Sequence, residues 1–291
     1  MTTIHAVLTA VLTAALLPVG LSACHAKESP RVVAETAQAS HLAHASAAAP
    51  EPAAPASVPA AIVPAHVERL LVPGDIAASI VRSKEGAAPV TVFMPGICSN
   101  GNAYLQTFPG AAQKQGGVVA IEGDQPCGNQ QGFRTFSWDA TRQHARVEAA
   151  LAAAGLTQIP REGITLVGYS QGAALAEQMI QRWPERYARV VLIGAPTDPA
   201  ARSFTRARGL VTMSCDRDVP ARMKQAAQTA ARLGIPATYL EMPGCTHGNI
   251  TEGERVFDTA FDWLRINERP LDPKAFPVQL TGIVVVGARP S

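Results

Sequence analysis

Ser170 stands in Gly168-Tyr169-Ser170-Gln171-Gly172, a G-x-S-x-G pentapeptide. A serine hydroxyl is a poor nucleophile on its own. It needs a base to take its proton and an acid to orient that base. The chain supplies both downstream. His247 lies in Gly244-Cys245-Thr246-His247-Gly248, and imidazole exchanges protons near neutral pH. Two carboxylates, Asp216 and Asp218, share Asp216-Arg217-Asp218-Val219-Pro220. The chemistry this set can perform is attack on a carbonyl carbon, with an acyl-enzyme as intermediate.

The elements around these residues have the pattern needed to position them. Residues 163–167, Gly-Ile-Thr-Leu-Val, are short, apolar and β-branched, as a buried parallel strand should be. Residues 173–180 are good helix formers. Strand, sharp turn and helix is the context of a nucleophile elbow, in which Gly168 and Gly172 keep strand and helix from clashing. Further strands are expected at 90–94, 117–121, 189–193, 209–213 and 237–241, after a leading hairpin at 67–72 and 79–82. Helices are expected at 102–115, 137–154 with Ser137 as cap, 219–233, and 251–266, where Phe257, Phe261 and Leu264 share one face. Strands alternating with helices imply an α/β domain, with a mainly parallel sheet covered on both faces and its site at the strand C-termini. Only about fifteen residues separate 193 from 209, too few for a large lid domain, so an open, shallow site is expected. Glu122 and Asp124, past a strand end, could line the cleft, although surface carboxylates are the commoner case.

The chain order Ser, Asp, His, together with the elbow, resembles the α/β-hydrolases, in particular the esterase, thioesterase and dienelactone-hydrolase types, over residues 67–266. In that family the acid commonly stands in Asp-x-x-Val-Pro. The resemblance therefore implies Asp216 as the orienting acid, with Asp218 its nearest rival. It also implies an oxyanion hole from the backbone N–H groups of Gln171 and Ile97. The latter sits in Met94-Pro95-Gly96-Ile97-Cys98, where Pro95-Gly96 replaces the family's usual His-Gly. The elbow Gly-Tyr-Ser-Gln-Gly-Ala resembles the cutinases as well. The implied activity is hydrolysis of carboxylic esters on small molecules or acylated substrates, without metal or organic cofactor. A thioesterase, a polyester depolymerase, an amidase, or a tethered binding protein with a vestigial triad are the alternatives.

Setting Cys24 aside leaves four cysteines: Cys98, Cys127, Cys215 and Cys245. An even number argues for two disulfides, and no C-x-x-C spacing favours zinc. In the fold implied by the resemblance, the strands before Cys215 and Cys245 are neighbours, as are those before Cys98 and Cys127. The expected pairs are Cys98–Cys127 and Cys215–Cys245.

Residues 1–23 carry no Lys, Arg, Asp or Glu and hold a short apolar core at 6–17, the length of a signal-peptide core rather than a membrane span. Leu21-Ser22-Ala23-Cys24 resembles the lipobox of bacterial lipoproteins. The resemblance implies lipidation at Cys24, a membrane attachment, and a cell-envelope location; His25 after the cysteine leans toward the outer membrane. The alternative is a secreted or periplasmic protein. Residues 24–65 are rich in Ala and Pro and read as a tether, on which His41 and His44 are solvated spacer residues. Residues 66–291 are expected to form the catalytic domain, with an added edge strand at Ile283-Val284-Val285-Val286. A net charge of +2 gives no reason to expect a nucleic-acid partner.

Overall fold

The computed structural model describes residues 64–271, apart from residue 159. The leader, Cys24, the spacer with His41 and His44, and the 283–286 segment lie outside the described residues. In chain order the elements are β1 (Glu68–Leu70), β2 (Ala78–Arg82), β3 (Thr91–Met94), α1 (Gly101–Leu105), α2 (Pro109–Lys114), β4 (Gly117–Ala120), β5 (Gln125–Cys127) and β6 (Gln130–Thr135). They continue with α3 (Ala140–Ala153), β7 (Ile164–Tyr169), α4 (Gln171–Arg182), β8 (Tyr187–Ile193), β9 (Gly209–Cys215), α5 (Pro220–Arg232), β10 (Ala237–Met242) and α6 (Gly253–Asn267).

Eight strands form one sheet in the order β1-β2-β4-β3-β7-β8-β9-β10. The leading hairpin joins antiparallel, and every pair from β4 to β10 is parallel. Side chains alternate across the sheet and so feed two cores. In β8, Val190 and Leu192 face the core that α3, α4 and α5 cover through Leu151, Met179 and Met223. Val191 and Ile193 face the other core, covered by α1, α2 and α6 through Leu105, Phe108 and Phe257. Phe108 stacks on Phe257 at 3.7 Å between ring centroids. All six residues of β7 are buried, because both faces of a central parallel strand are covered.

Three local expectations are corrected. The single helix expected over 102–115 is broken into α1 and α2. Pro109 has no N–H to donate and disfavours helical backbone at Phe108, so it opens α2 at the position where proline is tolerated. Helix α3 begins at Ala140 rather than at Ser137; Asp139 caps it by accepting from Thr141 and Arg142 N–H. The β5–β6 hairpin was not anticipated. It lies on the surface, and Gln130-Gln131-Gly132-Phe133-Arg134-Thr135 has no apolar alternation to announce a strand. Cross-links hold it instead: Cys98–Cys127, and the paired N–H and C=O groups of Ser99 and Arg134, both at 3.0 Å. Between β8 and β9 the chain makes only a 3-10 turn, Ala201–Phe204, so no lid domain enters there.

Candidate active site

Strand β7 ends at Tyr169 and helix α4 begins at Gln171, which leaves Ser170 alone at the corner. Its backbone is at φ 52° and ψ −113°, a conformation that costs a side-chain-bearing residue about 1–3 kcal/mol. The surroundings hold it there: Ser170 N–H donates to Ile193 O at 2.8 Å. Both flanking glycines are required by space. A Cβ on Gly168 would come within 2.6 Å of Ala173 Cα, and one on Gly172 would strike the Met94 and Pro95 carbonyls. The hydroxyl thus points out of the C-terminal edge of the sheet at the start of a helix, where the dipole favours negative charge.

His247 is carried by the loop between β10 and α6. Its Nε2 lies 2.9 Å from Ser170 Oγ. Its Nδ1 lies 2.7 Å from Oδ2 of Asp218, not from Asp216. A carboxylate only accepts, so Nδ1 carries the ring proton and Nε2 is left to accept from the serine. The imidazole side chain is 43% exposed and that of Asp218 16%, so solvent reaches the imidazole while the carboxylate is largely covered.

The preference for Asp216 is therefore corrected, and the reason is register. Strand β9 runs two residues beyond the expected 209–213 and stays paired with β10 as far as Cys215 opposite Met242. Asp216 N–H still donates to Met242 O at 3.0 Å, which leaves its carboxylate on the β10 side. There it accepts from Gly244 N–H at 2.9 Å and Cys245 N–H at 3.2 Å, and the Gly244 bond leads in holding it below the usual carboxylate range. A turn closed by Asp218 N–H to Cys215 O then returns the chain, and Asp218 lands over β8 beside Gly194. Asp216 shapes the histidine loop; Asp218 meets the histidine.

Two tyrosines that motif reading passes over also hold that loop. Tyr169, the variable residue of the pentapeptide, accepts from Gly248 N–H at 2.6 Å and lies 5.4 Å from the His247 ring. Tyr104 donates its hydroxyl to Gly248 O at 3.2 Å and packs 5.0 Å from Tyr169. Burial raises the pKa of both phenols, so both remain protonated. The disulfides brace the same edge. Cys215 is bonded to Cys245, with Cα atoms 5.1 Å apart, and Cys98 to Cys127 at 5.2 Å. Cysteines bonded in this way cannot ligate zinc as thiolates.

The loop after β3 presses against Ser170 on its other side. A Cβ on Gly96 would lie 3.2 Å from Ser170 Cβ. Ile97 follows, with its side chain exposed. Gln171 opens α4, where a backbone N–H has no acceptor within the helix. Its side chain is locked away from the site: Oε1 accepts from Thr135 Oγ1 and Phe136 N–H, and Nε2 donates to Phe136 O. Neither Glu122 nor Asp124 is a surface carboxylate. Glu122 accepts from Gly101 and Asn102 N–H at the head of α1, and burial raises its pKa. Burial would also raise Asp124, but bonds from Ser137 N–H, Ser137 Oγ and Gln143 Nε2 prevail and bring it to about 2.

No family model matches the chain, and no curated protein matches it in sequence. Solved structures do match in fold. Carboxyl esterase 2 from the mycorrhizal fungus Tuber melanosporum superposes with a TM-score of 0.52 at 11% identity, covering 72% of this chain and 90% of that one. An esterase of Pyrobaculum calidifontis gives 0.51 at 16% identity, over 69% and 85%. The fluorophosphonate-binding serine hydrolase F of Staphylococcus aureus gives 0.51 at 10% identity, over 69% and 99%. With the strand order and the helices on both faces, these likenesses establish the α/β-hydrolase fold.

Proposed function

We propose that the protein hydrolyses carboxylic esters through an acyl-enzyme on Ser170. The observation that carries this reading is the continuous contact from Ser170 Oγ through His247 to Asp218, with distances of 2.9 and 2.7 Å. Oγ attacks the ester carbonyl as Nε2 takes its proton. The imidazolium is stabilised by Asp218 and then gives that proton to the departing alkoxide, releasing the alcohol. Water repeats the sequence on the acyl-enzyme, and His247 is exposed enough for water to enter. The backbone N–H groups of Gln171 and Ile97 receive the oxyanion, each worth about 10²–10³ in rate. The leader, Cys24 and the spacer complete the proposal as an export signal, a lipid anchor and a tether that hold this domain at the cell envelope.

Hydrolysis of p-nitrophenyl acetate tests the reading. The wild-type chain should turn over, and Ser170→Ala should fall to the solvent background. Equal rates in both would exclude Ser170 as the nucleophile.

A further inference from the structure

Beside the triad lies a cavity of about 310 Å³, walled by Ile97, Tyr104, Phe133, Gly248 and Ile250 among others. Two of these walls flank the chemistry: Ile97 follows the Gly96 that presses on Ser170, and Gly248 follows His247. No lining residue is charged. Of the polar side chains that line the cavity, Asn249 is exposed to solvent and the other four are engaged elsewhere. Ser99 Oγ donates to Gly96 O, Asn100 spans Ala103 N–H and Gly132 O, and Thr107 Oγ1 donates to Tyr104 O. The Tyr104 hydroxyl is taken by Gly248 O. Apart from Asn249, these walls present mainly apolar surface.

Phe133 stands out in that wall. It is 46% exposed, the one large apolar residue on an otherwise polar strand. Its hairpin is fixed to the Ile97 loop at both ends, by Cys98–Cys127 and by the Ser99–Arg134 pair. An aromatic ring held in solvent on a braced hairpin is available to cover an apolar group.

Resting on the ester-hydrolase reading, we infer that this cavity receives the alcohol part of the ester, and that Phe133 selects neutral, apolar alcohols. The assignment to the alcohol follows from the proton's route. Nε2 of His247 must reach the leaving oxygen, so the alcohol departs on the histidine side of Ser170, and the wall next to His247 is the cavity's Gly248. At about 30 Å³ for each water-sized atom, the space takes about ten non-hydrogen atoms, enough for a hexyl or benzyl group. In the acylation step the ester C–O bond breaks as the Oγ–C bond forms, and the alcohol leaves with the proton from Nε2.

Two substrate series separate the outcomes. One holds the acyl group as acetate and varies the alcohol through ethyl, butyl, hexyl and benzyl. The other holds ethanol and varies the acyl group from acetate to octanoate. Phe133→Ala should lower kcat/KM for hexyl and benzyl acetate about tenfold or more while ethyl acetate stays within about twofold. Phe133→Trp should narrow the cavity and disfavour the same two esters. Because every acetate forms the same acetyl-enzyme, kcat where deacylation limits should not move. A response confined to the acyl series would make this the acyl site and overturn the inference, as would no response in either series. Failure of wild type to cleave any ester would instead sink the ester-hydrolase reading beneath it.

Discussion

Asp218 Oδ2 lies 2.7 Å from His247 Nδ1, whereas Asp216, two residues earlier, binds the N–H groups of Gly244 and Cys245. Two carboxylates on one short loop thus hold one histidine in different ways. One contacts the ring and the other shapes the backbone that carries it. Asp218→Ala should lower kcat by about 10³–10⁴, the usual cost of losing the group that fixes the tautomer. Asp216→Ala should cost less than about tenfold in kcat and show itself mainly as a lower Tm. Steady-state kinetics and thermal melts on both variants decide this, and the reverse ranking would return the role to Asp216.

Gly194 is the floor beneath that pair. It has φ +52°, and a Cβ there would sit 3.2 Å from Asp218 Oδ2 and 3.2 Å from the His247 ring. Gly194→Ala must shift one partner or the other by a few tenths of an ångström. Since a misplacement of about 1 Å costs about 10² in rate, this smaller shift should cost about tenfold. We expect kcat to fall by about that factor with the circular dichroism spectrum preserved.

The Cys215–Cys245 bridge joins the loop that carries Asp218 to the loop that carries His247 across 30 residues of sequence. A loop of that length gives about 3–4 kcal/mol by chain entropy, or roughly 10 °C in Tm for a domain of this size. The Cys215→Ala, Cys245→Ala double variant should show that drop together with a loss of kcat. Removing Cys98–Cys127 should give a comparable loss of stability with a smaller loss of kcat on ethyl acetate, because that bridge braces the hairpin and the Ile97 loop rather than the contact between Asp218 and His247. Melts and kinetics on the two double variants make the comparison.

Asp124 couples stability to acid pH. Its carboxyl titrates at about 2 in the folded chain, against an ordinary 3.8. A lowered folded pKa contributes stability that is present above the unfolded value and lost as pH falls from about 4 toward 2. Asp124→Asn should lower Tm at pH 7 and flatten the fall in Tm between pH 4 and 2. Melts across that range, compared with wild type, check the sign.

Much of this site was legible in the residues themselves. The pentapeptide could be read because a β-branched apolar run precedes it and a run of helix formers follows, both set by local chemistry. The acid could not. Choosing between Asp216 and Asp218 requires knowing that β9 stays paired to Cys215, and the pairing depends on the partner strand rather than on β9 alone. Tyr169 was hidden for a related reason: its hydroxyl meets Gly248, 79 residues away in sequence. The β5–β6 hairpin carries no apolar period because its stability comes from a disulfide and a two-bond bridge rather than from a buried face.

The central claim is that Ser170 is an activated nucleophile, and covalent labelling with a fluorophosphonate tests it most directly. Intact mass and peptide mapping should show one adduct, on the peptide that contains Ser170. Ser170→Ala should remain unlabelled, and His247→Ala should label far more slowly than wild type. An unlabelled wild-type protein with both disulfides intact, or an adduct that persists in Ser170→Ala, would contradict the account.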